Sequence, residues 1–168
     1  MELRLRPLRA QDEESALAAQ AELREDGFTF LLDFDTEISW EQYVRRWDGY
    51  RRGDALAEGY VRSAFLAADV GGELVGRASV RFSLNDFLRH EGGHIGYAIR
   101  PAYRRRGYAR ALLGQALVVA RAEGVGDVLV TCNDDNEASA RVIQSHAGEL
   151  EDVVVASDGR LVRRYWIR

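Results

Sequence analysis

The sequence predicts a mixed α/β (α+β) fold in a single domain over residues 1–168. Three observations predict it. Short segments that alternate apolar and polar residues read as strands, and longer segments with an apolar repeat near 3.6 residues read as helices. The two kinds interleave in the order β-α-α-β-β-β-α-β-α-β-β instead of separating into halves. No internal repeat, low-complexity tract or linker interrupts that order.

Residues 2–6 (Glu-Leu-Arg-Leu-Arg) alternate as a first strand, which Pro7 closes. Asp12 stands as a cap before an acidic first turn, Glu13 and Glu14, and the helix it opens should stop near Gly27. Residues 28–38 are too mixed for either period and read as a loop over the core. Ser39 and Gln42 have the spacing of a capping box, so a second helix runs from there to about Gly53. Residues 63–70 and 73–82 are two strands around Gly71-Gly72, a hairpin signal. Residues 84–90 form a short helical turn or a loop. Residues 94–99 (His-Ile-Gly-Tyr-Ala-Ile) read as a buried strand ended by Pro101. Residues 107–120 carry a helical stripe through Leu112, Leu113, Ala116 and Val119. Residues 127–132 are a buried strand, broken at 133–137, where Asn136 or Asp135 caps a fourth helix through His146. Gly148 leads into a strand over 150–156, Ser157-Asp158-Gly159 turns the chain, and residues 160–167 return as the last strand.

At 168 residues the chain is long enough to bury a core without cross-links, and 46% hydrophobic with 30% charged residues is ordinary for a soluble globular protein. A net charge of −4 argues against a general nucleic-acid binder. No run approaches membrane-spanning length and the first residues hold no apolar signal core, so neither nucleic acid nor membrane is expected as a partner. The single cysteine, Cys132, excludes an internal disulfide framework and makes a reducing cytoplasm the simplest compartment.

The most informative stretch is Arg104-Arg105-Arg106-Gly107-Tyr108-Ala109, between the strand at 94–99 and the helix at 107–120. A helix start leaves backbone N–H groups without partners and carries partial positive charge, so it attracts anions. Gly107 and Ala109 leave room for a phosphate to approach the backbone, and arginine offers forked donors that match phosphate oxygens. These residues suit a diphosphate.

The strand–Arg-x-x-Gly-x-Ala–helix arrangement, carried by Arg104, Gly107 and Ala109, resembles the coenzyme A signature of the GNAT superfamily of N-acetyltransferases. The order of elements is similar to the GNAT layout along nearly the whole chain. The resemblance implies a mostly antiparallel central sheet of six to seven strands flanked by about four helices. It implies acetyl-CoA as co-substrate, no metal, and acetyl transfer to a primary amine on a small molecule or peptide by direct attack in a ternary complex. It also implies roles for residues. Ala98 and Ile99 would pair with the pantetheine arm, and Arg104, Arg105, Arg106, Gly107, Tyr108, Ala109 and Arg110 would surround the diphosphate. Asn136 and Ser139 match an Asn-x-x-Ser/Ala segment that meets pantetheine, with helix capping as the other role of Asn136. Family members splay the signature strand from the next one, and Gly96 and Ala98 permit such an approach or simply tight packing. Family members are often homodimers, although no seam is visible in the sequence.

Amine attack needs an unprotonated nitrogen, so a base must take a proton. His94 is the first candidate, at the start of the signature strand, with Glu91 and His90 as alternatives and a satisfied strand-edge histidine as the bland reading. Many relatives carry a tyrosine seven residues after the Asn to protonate the departing thiolate, where this chain has Ile143. Tyr97, Cys132, Tyr165 or water would serve instead, or the thiolate leaves unaided. Cys132 also invites an acetyl-cysteine intermediate, with a buried small hydrophobe favoured. The three histidines, His90, His94 and His146, lack a metal-ligand constellation.

Trp40, Tyr43, Trp47 and Tyr50 recur at helical spacing, and at least two should fill core. Asp26, Asp33, Asp35 and Glu37 would attract a cationic amine or form a solvated loop, and Arg81 and Asn85 are further acceptor-side candidates. The missing tyrosine favours a second function class, a coenzyme A-binding sensor or accessory protein of the same fold without turnover. A nucleotide-binding domain of another α/β type is disfavoured, since no Gly-rich loop ending in Lys-Ser/Thr and no dinucleotide fingerprint occurs.

Overall fold

The computed structural model describes residues 2–168. Seven strands, β1 (Leu3–Pro7), β2 (Ser63–Val70), β3 (Glu73–Arg81), β4 (Ile95–Ile99), β5 (Val128–Asn133), β6 (Glu149–Val155) and β7 (Leu161–Ile167), form one sheet. Their order across it is β1-β2-β3-β4-β5-β7-β6. Every neighbouring pair is antiparallel except β4–β5, so the mixed, mostly antiparallel architecture expected from the sequence is the one observed. Helices α1 (Glu13–Arg24), α2 (Trp40–Arg52), α3 (Tyr108–Ala122) and α4 (Glu137–Gln144) flank the sheet.

Strand alternation sorts the side chains into two cores. On one face Ala64, Leu66 and Ala68 of β2 and Ala78 and Val80 of β3 meet Leu112, Leu113, Ala116, Leu117 and Ala120, one stripe of α3. On the other face Phe65 and Ala67 of β2 meet Ala16, Ala19 and Leu23 of α1 and the aromatic stripe of α2. Each fully buried leucine among these contributes about 2 kcal/mol relative to exposure. The edge strand β1 is covered by α3, where Gln115 Oε1 accepts from Leu5 N–H (2.8 Å) and Gln115 Nε2 donates to Leu3 O (2.6 Å).

Ser39 caps α2 as its spacing indicates. Gln42 N–H donates to Ser39 Oγ (3.1 Å), and Ser39 N–H donates to Gln42 Oε1 (2.8 Å). Asp12 does not cap α1 with its side chain. It is buried, and its carboxylate takes the Arg6 guanidinium (2.6 and 2.8 Å) and the Arg9 N–H (2.7 Å), so the cap expectation yields to an ion pair. α1 also ends at Arg24, short of Gly27, and a single π-turn spans Leu88–Gly92.

The parallel pair β4–β5 positions the site. It consists of one register pair, Ile95↔Val130. Just before it His94 N–H donates to Leu129 O (2.7 Å), and Leu129 N–H donates back to His94 Nδ1 (2.9 Å). Beyond Ile95 the strands diverge, and the β4 edge facing β5 carries backbone polar groups with no strand partner. Meanwhile β3 and β4 are held tightly together, since a Cβ on Gly76 would sit 2.3 Å from Ala98 O.

Candidate active site

The divergence of β4 and β5 opens a cavity of about 750 Å³ that passes through the sheet. One end lies at the start of α3. Gly107 precedes that helix with φ 80°, and Arg105 also adopts a positive φ of 61°. The first helical bond there is Ala111 N–H to Gly107 O (3.2 Å), which leaves the Tyr108, Ala109 and Arg110 amides without helical partners. Arg104, Arg105, Gly107, Tyr108, Ala109 and Arg110 line this end. Arg104 is engaged, with Nη2 on Asp26 Oδ2 (2.6 Å) and Nε on Ile99 O (3.1 Å). Arg106 does not line the cavity, because its guanidinium lies over the Tyr103 ring, 5.7 Å from the centroid. That separates Arg106 from the group in which the sequence placed it.

The middle of the cavity runs between β4 and α4. Ala98 and Ile99 form one wall, and Cys132, Asn136, Ser139 and Val142 form the other. Asn136 is the side-chain cap of α4, its Oδ1 accepting from Ser139 N–H (3.0 Å), and it lines the cavity as well. Tyr97 faces this wall, packed with Cys132 and Val142 on the α3 side of the sheet. Its hydroxyl is buried with no well-formed hydrogen bond, and burial, partly offset by the nearby Ser139 side chain, pushes it up to about 12. Burial likewise pushes Cys132 up to about 11, which keeps it a neutral thiol and a poor nucleophile near pH 7. Ile143 is fully buried and does not line the cavity, and Tyr165 is also core.

The far end opens on the α1–α2 face, lined by Phe28, Arg77, Arg81, Glu91, Gly96 and Thr131. Arg77 is buried and donates to Phe30 O (3.0 Å), Thr29 O (2.8 Å) and Gly96 O (3.2 Å), which fastens the 28–30 segment to the sheet. Arg81 donates to Gly92 O (3.2 Å). Burial, with each guanidinium near the other, lowers Arg77 to about 9, and burial lowers Arg81 to about 10. The sequence singled out Arg81 but not Arg77. The signal was present: Arg77, Ser79 and Arg81 recur at every second position in an otherwise apolar strand.

His94 lies outside the cavity. It is buried, its ring meets Trp166 edge-on at 6.5 Å, and its Nδ1 lone pair is taken by Leu129 N–H. The neutral ring therefore carries its proton on Nε2, and no nitrogen is free to accept another. Burial, then Arg89 and Arg81, lower it to about 4. This geometry does not fit a general base, so the strand-edge reading replaces the catalytic one. Of the alternatives, His90 bonds to Val155 O (2.9 Å) away from the cavity, and Glu91 lines it. Asn85 also lies elsewhere, bonded to Gly59 O (2.9 Å). All four aromatic residues of α2 are core, with Tyr43 donating to Leu32 O (2.8 Å). Asp33 pairs with Arg46 and Asp26 with Arg104, so the acidic loop presents no open cation site to the cavity. Among the described residues, no group of three His, Cys, Asp or Glu side chains converges as metal ligands.

Residues 32–148 match the acetyltransferase (GNAT) family. An acetyltransferase of Sodalis glossinidius (strain morsitans) is 26% identical over 133 residues, which span 77% of this chain and 90% of that protein. Two solved structures share the fold. One is an acetyltransferase from Salmonella typhimurium, determined with its cofactor acetyl-CoA, at TM-score 0.65 and 16% identity over 100% of this chain and 94% of that one. The other is a GNAT-family acetyltransferase from Bordetella pertussis, at TM-score 0.68 and 21% identity over 99% of this chain and 96% of that one. The stretch that matches the family takes in both walls of the cleft, and the chain belongs to the GNAT family of acetyltransferases.

Proposed function

We propose that this chain moves an acetyl group from acetyl-CoA to a primary amine, by direct attack in a ternary complex. One observation carries the reading: a single cavity joins the open amides of α3 to the unpaired edge of β4 and continues to the opposite face of the sheet. The residues fit a long co-substrate with an anionic head. Tyr108, Ala109 and Arg110 offer amides, and Arg105 offers charge, to a diphosphate. The free edge of β4, at Tyr97 and Ile99 on either side of the β3-paired Ala98, suits the amides of pantetheine, with Asn136 and Ser139 across from it. The similar Salmonella typhimurium structure holds acetyl-CoA, which supports the same co-substrate here.

Bound acetyl-CoA supplies an activated acetyl thioester. Backbone N–H groups on the open edge of β4 polarise its carbonyl. Glu91, the cavity-lining candidate among the three bases, takes the amine proton through water. Tyr97, kept protonated by burial and lining the cavity, donates to the departing sulfur and fills the role left empty at Ile143. The acceptor amine belongs to a small molecule or a peptide. The single cysteine, a free Cys132, fits a reducing cytoplasm.

Incubation with acetyl-CoA and a panel of primary amines, read as free thiol, tests the reading. The expected result is acceptor-dependent thiol release. Tyr97→Phe should lower kcat about 10- to 100-fold, the worth of a hydrogen bond to a charged group, with KM for acetyl-CoA unchanged. The buried Ile143 favours a second reading, a coenzyme A-binding sensor. Tight coenzyme A binding with no acceptor-dependent thiol release would support it.

A further inference from the structure

The partly buried arginines of this protein find carboxylates almost everywhere. Arg6 holds Asp12 and Asp69, Arg100 holds Glu22, Arg163 holds Asp134 and Glu137, and Arg164 holds Asp152 and Glu151. Arg77 and Arg81 break that pattern. They project from the same face of β3 into the far end of the cavity, and neither has an acidic partner within ion-pair distance. Their hydrogen bonds go to backbone carbonyls and, from Arg77, to Ser79 Oγ (3.4 Å).

The two differ in what they have left to give. Arg77 spends Nε and both terminal nitrogens on the chain itself. Arg81 uses only Nη1, on Gly92 O and Gly93 O, so its Nε and Nη2 donors have no partner among the described residues. The side chains converge on Gly96. A Cβ there would lie 3.2 Å from Ser79 Oγ, 3.4 Å from Arg81 Nη1 and 3.6 Å from Arg77 Nη1. Gly96 is itself a cavity wall and belongs to β4, the strand whose open edge is proposed to face the thioester.

Arg77 is buried without a counter-ion, and half-buried Arg81 keeps donors open to the cavity, so an anionic ligand there would supply the charge that the protein does not. Of the two carboxylates that line the cavity, Asp26 pairs with Arg104, and Glu91, whose Oε1 accepts from Ser157 N–H (3.1 Å), forms no ion pair with either arginine. We infer that the acceptor carries a carboxylate close to its amine, and that Arg81, backed by Arg77, binds that carboxylate beside Gly96. The inference rests on the acetyltransfer reading and adds the class of acceptor: an amino acid, or a peptide whose first residue is acidic. It also reverses the expectation that an acidic loop draws in a cation.

The test compares matched acceptors in the thiol-release assay: free α-amino acids, peptides beginning with Asp or Glu, and amides or decarboxylated amines of the same skeletons. Wild type should favour carboxylate-bearing amines by about 10- to 100-fold in kcat/KM. Arg81→Gln should erase that preference, chiefly by raising KM for the carboxylate-bearing amines toward that of their amides. Which carboxylate source is preferred separates free amino acids from acidic peptides. In parallel, coenzyme A-saturated protein is titrated with N-acetyl amino acids and with their amides, followed by tryptophan fluorescence, so that carboxylate recognition is read without turnover. Equal use or equal binding of acids and amides, no binding of either, or a preference that survives Arg81→Gln overturns the inference. Coenzyme A binding and transfer to neutral amines would in those cases leave the acetyltransfer reading standing.

Discussion

At His94 the imidazole Nδ1 accepts a backbone N–H from Leu129, and burial beside Arg89 and Arg81 holds the ring down at about 4, below its ordinary 6.5. The unfolded chain therefore binds a proton that the native chain refuses between those two values. Stability contributed by the neutral ring is intact above pH 6.5 and is lost as pH falls toward 4, by up to about 3 kcal/mol. Urea unfolding across that window should show the slope, and His94→Asn, whose Oδ1 can still accept from Leu129, should flatten it. A limb of the rate profile near neutral pH that vanishes in His94→Asn would instead restore the histidine as base. The sequence marked the position of His94 as special but not its use, because a hydrogen bond to a strand distant in sequence decides which lone pair is free. Cys132 and Ile143 were legible in type, since a lone cysteine is usually buried and an isoleucine cannot donate. Tyr97 stood beside Cys132, Tyr165 and water as a candidate donor, and the structure separates it from Tyr165, which does not line the cavity.

Elements with a local cause were read closely. The Ser39–Gln42 box starts α2, Gly71-Gly72 turns the β2–β3 hairpin, and Asn136 caps α4. Ends set by distant partners were not. Asp12 was drawn to Arg6, and α4 stops at Gln144, short of His146. His146 turns back to donate to Arg110 O (2.9 Å). The contact of β3 with β4 gives a sharp prediction at this scale. Gly76→Ala drives a Cβ into Ala98 O, a backbone atom that cannot swing aside, and should destabilise the protein by about 1–3 kcal/mol. At Gly107 nothing lies within 4 Å of an added Cβ, so Gly107→Ala should cost only the left-handed backbone strain, about 1 kcal/mol. Denaturant midpoints of the two variants, side by side, check that order.

Across the whole molecule, a chain with net charge −4 lines its cavity with Arg77, Arg81, Arg104, Arg105, Arg110 and Arg160 against only Asp26 and Glu91. That local reversal of sign suits the anionic co-substrate proposed for this acidic protein. The order of elements was legible from hydrophobic periods, and so was the open start of α3, because strand, arginines, glycine and helix are adjacent in sequence. Two global features were not legible in the local pattern, the second being expected only from the family resemblance. β7 inserts between β5 and β6, and β4 parts from β5 after one register pair. Both depend on pairings between segments far apart in the chain, about which local pattern is silent. The cleft that follows from that parting is the centre of the account. Calorimetric titration with coenzyme A and with pantetheine, which lacks the diphosphate and nucleotide, tests it most directly. The account predicts one coenzyme A per chain, bound at least about 100-fold more tightly than pantetheine, with the gap shrinking in Gly107→Val as the α3 amides are displaced. No affinity for coenzyme A, or equal affinity for the two, would contradict it.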